Sequence, residues 1–200
     1  MKKFAFCPFI SLLFWCLAVL FLWIKSYNPH SAEAVNYYCV HMTILLSLLY
    51  VWLSLFLIFR APRCASTCWA LACAAYLIHV ACAFAYSHHW SHRQAYLHVQ
   101  RATNFGSGIF VTYFFSLLWL IDALWFLLAM KNYVHRPTWL ARSIRCFLYF
   151  IILNGAVIFE GGLSRWGTII GSVVLLIDRL WVQHYTIQSK AQHVGKINQP

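Results

Sequence analysis

Long apolar stretches alternate with short polar connections along this chain, and the polar breaks mark where one element ends and the next begins. Six apolar stretches can be drawn, at residues 4–24, 36–59, 67–86, 108–130, 143–162 and 163–182. Each comes near the ~20 residues a helix needs to cross a hydrocarbon core. The first four are continuous. The last two are short and broken by Glu160-Gly161-Gly162 and by Asp178-Arg179, a pattern a shallower hairpin would also give. The expected fold is an all-α integral membrane bundle of about six transmembrane helices, with a His-rich outward loop between the third and fourth. Residues 1–182 form its single domain, and residues 183–200 read as a short, disordered, basic cytoplasmic tail.

Composition agrees. Hydrophobic residues make up 62% of the chain and charged residues 10%, against roughly 45–50% and about 25% in soluble domains. So little charge cannot clothe a soluble surface. A net charge of +11 would point to nucleic acid if it formed one basic face of a soluble domain. Here the basic residues stand in the connections, which excludes nucleic acid and makes the lipid bilayer the partner. With the N-terminus inside, the cytoplasmic side collects Lys2, Lys3, Arg60, Arg63, Lys131, Arg136, Arg142, Arg145, Arg179, Lys190 and Lys196. The outer side keeps Lys25, Arg93, Arg101 and Arg165. That bias sets both termini in the cytoplasm and the histidine loop outside. Met1-Lys2-Lys3 and its apolar run also resemble a signal peptide, with Ala32-Glu33-Ala34 as a cleavage site. The length of the run and its distance from that site favour an uncleaved anchor.

The eight cysteines contain no C-x-x-C and fall mostly inside apolar stretches, where Cys acts as a small apolar residue. In the third stretch Cys68, Ala72, Ala75, His79, Cys82 and Tyr86 recur at steps of three and four, so they share one helical stripe. Small residues on a stripe let helices approach closely, which predicts a central helix with His79 in its tightest seam. An imidazole there needs a partner: a carbonyl or hydroxyl on the next helix, or a bound metal or haem. His41, Asn154 and Glu160 fall at similar depth, beneath the loop.

That loop carries His88, His89, His92 and His98, four of ten histidines. His88 and His92 are four apart, the spacing by which one helix turn offers two imidazoles to an ion. The candidate metal set is therefore His88, His92, His98, His41 and His79, taking copper, zinc or iron, or else haem. The alternative is an amphipathic surface helix, with Trp90, Tyr96 and Leu97 dipping into the interface. Asp122 stands mid-stretch with no charge beside it, and is either a proton relay or a helix–helix lock. Asp178-Arg179 reads as an anchoring pair.

W-S-H at 90–92, His98, Arg101, Thr103, Y-F-F-S-L-L-W-L-I-D at 113–122, Trp125, N-G-A-V-I-F at 154–159 and Arg165-Trp166 resemble an uncharacterised family of bacterial six-pass inner-membrane proteins. The resemblance covers the C-terminal two-thirds. It implies a bacterial inner-membrane location and singles out His92, His98, Asp122 and Asn154, with no activity to carry over. The His boxes of membrane desaturases do not match, since here there is one cluster and it faces outward. Several functions stay open: metal or haem binding, proton or solute translocation through Asp122 and His79, a non-catalytic accessory subunit, or lipid chemistry. An accessory subunit would meet partner membrane proteins through small residues such as Gly167 and Gly171. No nucleophile–base pair or carboxylate pair specifies an enzyme.

Overall fold

In a computed structural model, residues 6–27, 37–159 and 162–197 are described. The elements in order are α1 (Phe6–Tyr27), a π-helical turn (Tyr37–Met42) running into α2 (Thr43–Leu57), and α3 (Pro62–Cys82) extended by a π-helical turn (Ala83–Ser87). Then come α4 (His92–Thr103), α5 (Gly108–Leu128), the short α6 (Met130–Val134), α7 (Thr138–Leu153) with a π-helical extension (Asn154–Phe159), and α8 (Gly162–Ile197). No strand occurs among the described residues. The fold is all-helical, as the apolar pattern predicts.

Four helical units are long and apolar enough to cross a membrane: Cys39–Leu57, Pro62–Ser87, Gly108–Leu128 and Thr138–Val157. In α1 a shorter apolar run spans Ile10–Phe21. These units match the second to fifth stretches, although α7 begins at Thr138 rather than 143, directly after the helix-starting Pro137. The expected disordered tail is instead helical, since α8 continues to Ile197. Its sequence there includes three Gln and two Lys, which favour helix, and has no proline before the end. The Ala32-Glu33-Ala34 site and Glu160 lie outside the described residues.

The small-residue stripe does place α3 at the centre. Cys68, Ala72 and Ala75 are fully buried, while His79 and Cys82 are half-buried and Tyr86 is exposed. The seam therefore closes at one end of α3 and opens toward the other. On one side, Ser54 Oγ donates to the Ala65 carbonyl, Ser47 Oγ to that of Ala72, and His79 Nδ1 to that of Val40, each at 2.8 Å. Each step of seven residues along α2 is matched by seven along α3 in the opposite direction. A seven-residue contact repeat is the signature of a shallow antiparallel crossing.

Trp69 and Tyr76 of α3 meet Asp122 and Ser116 of α5, so α5 also runs antiparallel to α3. Trp15 Nε1 of α1 donates to the Leu71 carbonyl at 3.2 Å. Gly171 of α8 lies against the Trp52 ring of α2. The bundle thus has a basic end, holding Pro62, Leu128 and Thr138, and a histidine end, holding Ser87 and Gly108. At the basic end the expected Asp178–Arg179 pairing is replaced. Asp178 binds Arg60 at 2.5 Å, while Arg179 Nη2 donates to the Leu55 carbonyl at 2.6 Å and its guanidinium covers Phe59. Adjacent helical residues point in different directions, so each finds its own partner on the neighbouring chain segment.

Candidate functional site

At the histidine end the backbone decides which imidazoles can meet. Ser91 caps α4, its hydroxyl accepting from the Gln94 amide at 3.3 Å, so helical geometry begins only at His92. Before it, His89 and Trp90 both take left-handed backbone angles, with φ of 49° and 59°. That reversal takes His88 off the helix. The expected pairing of His88 with His92 across one turn is therefore not formed. His88 instead lies edge-on to His98, ring centroids 5.2 Å apart, and His92 Nδ1 shares a 2.8 Å hydrogen bond with Tyr113 Oη of α5.

The deeper histidines are dispersed as well. His79 is held on the carbonyl of Val40, the neighbour of His41. His41 itself is exposed. Asn154 Nδ2 donates to the Phe150 carbonyl one turn back on its own helix. Among the described residues, no three His, Cys, Asp or Glu side chains are grouped to hold a metal ion. Of the five candidate ligands, His88 and His98 are brought into ring contact.

What the histidine end does form is a half-open cavity of about 300 Å³ between α2, α3, α4, α5 and α7. Its walls include Leu48, Val80, Phe84, Ile109, Phe115 and Ile152. Ala95 and Val99 cover it from α4, whose amphipathic face is turned inward. Gly155 and Ala156 border it on the α7 extension, and a Cβ placed on Gly155 would meet no atom within 4 Å. Its polar lining is mostly engaged elsewhere: Ser47 with Ala72, Tyr76 with Ser116, His79 with Val40. His88 stands at the rim. Burial, then the neighbouring charge of His98, holds the His88 imidazole below its ordinary pKa, so it is neutral near pH 7. α4 is fixed beneath by Gly106, whose amide donates to Gln100 Oε1 at 2.5 Å. A Cβ at Gly106 would overlap the Tyr96 ring. Of the side chains expected to dip into an interface, Trp90 and Leu97 are exposed and Tyr96 packs on this turn.

The second polar cluster, at the basic end, was only half visible in the sequence. Asp122 sits on the buried stripe of α5 with Phe115, Trp119 and Phe126. Arg136 Nη1 reaches its Oδ1 at 2.7 Å, and Oδ2 accepts from Trp69 Nε1 at 2.9 Å and Tyr133 Oη at 3.1 Å. The Arg136 guanidinium also lies over the Tyr133 ring, 3.7 Å from its centroid, and near Trp125. Burial and the Asp122 charge push the Tyr133 hydroxyl above its usual range, which keeps it a donor. Arg136, counted in the sequence among the basic residues of the cytoplasmic side, is the counter-ion of Asp122.

Comparison with family models, with curated proteins and with solved structures finds no match. The reading of function therefore rests on this geometry.

Proposed function

We propose that this chain is an integral membrane protein that binds a single-chain amphiphile, of the fatty-acid type, in the cavity at its histidine end. The apolar tail fills the volume beneath α4, and the polar head sits at the His88 imidazole, against which His98 packs. The observation that carries this reading is the cavity itself: apolar walls, a small polar rim, and a volume of about 300 Å³. An apolar cavity of about 150 Å³ already takes a benzene-sized guest, and ligand pockets start near ~300 Å³. The His88 imidazole, held below its ordinary pKa, offers a donor to a carboxyl head. No described carboxylate competes, because Asp122 and Asp178 are both tied to arginines at the other end.

Membrane embedding is supported by the faces left outside. On α5, Phe110, Phe114, Leu117, Ile121, Leu124 and Leu128 follow one another at steps of four and three, and all are exposed. Facing them across the helix is the buried stripe of Asp122. An apolar ridge of that length is not left open to water in a soluble monomer; a bilayer covers it. We read α1 and α8 as the first and sixth crossings, and the histidine end as the outward one by the positive-inside rule. Asp122 acts as a lock rather than a relay in this reading, since its three partners, Arg136, Trp69 and Tyr133, hold it to fixed groups.

The test is equilibrium binding of a long-chain fatty acid to the detergent-purified protein, beside His88→Gln/His98→Gln. Hydrogen bonds to a charged head are worth about 1.5–3 kcal/mol, so the variant should bind roughly tenfold to a hundredfold more weakly, with unchanged helix content. Equal affinity in the two proteins would overturn the head-group assignment, and no binding by the wild type would overturn the reading.

A further inference from the structure

At the basic end a second recess lies between the start of α3 and the α5–α6 junction, open to the surface and about 740 Å³ in volume. Its basic rim is Arg63 from α3 with Lys131 and His135 from the α6 segment, and its apolar part is Leu127, Leu128 and Val134. Leu128 and Val134 are 78% and 64% exposed. Positive groups beside uncovered apolar ones form a surface with two demands, a counter-charge and a cover for carbon.

The described residues do not supply the counter-charge. Arg60 is satisfied by Asp178 and Arg136 by Asp122. Arg63 and Lys131 have no carboxylate partner among the described residues. The recess is also held in shape. Ala129 breaks the helix with φ −129° and ψ 50°, and Tyr133 and Arg136 fasten the following segment to Asp122 from the inside. Lys131, Val134 and His135 are thereby left on the opposite, exposed side of that segment. His135 Nδ1 donates to the Lys131 carbonyl at 2.8 Å, which orients its ring. Preorganisation of this kind lowers the ordering cost of binding.

From this juxtaposition we infer that the recess between Arg63 and Lys131 binds the phosphate of an anionic phospholipid, whose acyl chains run along Leu127, Leu128 and Val134. Basic pockets between membrane helices recognise anionic headgroups in this way. The site is separate from the cavity at the histidine end, and neither depends on the other.

The experiment uses the full chain purified from mixed phosphatidylcholine and phosphatidylglycerol micelles, with retained lipid counted by native mass spectrometry. The wild type should retain phosphatidylglycerol in preference to phosphatidylcholine. Arg63→Gln/Lys131→Gln should lower that preference roughly tenfold to thirtyfold, the effect of removing two near-surface charges. Lys131→Gln alone should lower it by roughly half as much on a logarithmic scale, which keeps a readout if the double variant folds poorly. The charge-matched Arg142→Gln/Arg145→Gln should retain it. Absence of a preference in the wild type, or equal loss in the charge-matched control, would overturn the site. Displacement of the lipid by inorganic phosphate would show a free-anion site and overturn the lipid assignment.

Discussion

Arg136 Nη1 lies 2.7 Å from Asp122 Oδ1, with the two side chains only 1% and 2% exposed, and that contact folds the α6 segment back onto the core. Three other aromatic or polar groups, Trp69, Tyr133 and Trp125, converge on the same two charges. A buried ion pair of this kind is weak evidence for net stability, because desolvating both charges offsets most of their attraction. What it does enforce is pairing: either partner alone is a stranded charge.

Asp122→Leu and Arg136→Leu should therefore each destabilise the protein by about 3–5 kcal/mol. Asp122→Leu/Arg136→Leu should recover most of that loss, since neither charge is then left unpaired. Chemical unfolding in detergent micelles, arranged as a double-mutant cycle, checks this. Additive losses would mean that the two residues are not coupled.

The His88 ring titrates below its ordinary value because it is partly buried and faces His98 and His89. With the folded pKa depressed, the unfolded chain binds the extra proton first, so stability rises with pH through this window. His88 should cost nothing above its usual value of 6.5 and should progressively destabilise the fold as pH falls below it. Thermal unfolding of wild type and His88→Gln across pH 5–8 should give curves that coincide at the alkaline end and separate on acidification, the wild type losing more. Parallel curves would contradict it.

Gly171 bears on how α8 is docked. A Cβ there would sit 2.8 Å from the Trp52 ring, closer than a packed side chain allows. A bulky ring so close leaves no space for a larger side chain, so Gly171→Leu should push α8 from α2, with a cost of about 1–3 kcal/mol or more. Gly167→Leu, where a Cβ meets nothing within 4 Å, should be tolerated. Comparison of the two melting temperatures separates internal packing from a surface used by partner subunits. An accessory-subunit reading of the sequence offers both glycines as part of such a surface.

The helices were legible because an apolar run of twenty residues is read directly from composition, and the centrality of α3 because Cys68, Ala72 and Ala75 have no bulk to keep a neighbour away. The clusters were less so. His88 and His92 have helical spacing, but spacing says nothing about where the helix begins. Ser91 and Gln94, three apart, carried the capping signal that takes His88 off it. Arg136 lies fourteen residues from Asp122, and the break at Ala129 that brings it back leaves no mark in the hydrophobic pattern. The need of a buried carboxylate for a cation was the available clue. Ser47 and Ser54, seven apart, likewise foretold the α2–α3 register.

The cavity remains the centre of the account, and photo-labelling tests it most directly. A fatty acid carrying a diazirine in its chain would be activated on the detergent-purified protein and the labelled peptides mapped, beside Gly155→Leu, which fills the space beneath α4. The prediction is labelling concentrated at residues lining the cavity, such as Val80, Phe84 and Ile152, and its loss in the variant. Labelling confined to the exposed ridge of Phe110, Phe114 and Leu117, and unchanged by Gly155→Leu, would contradict it.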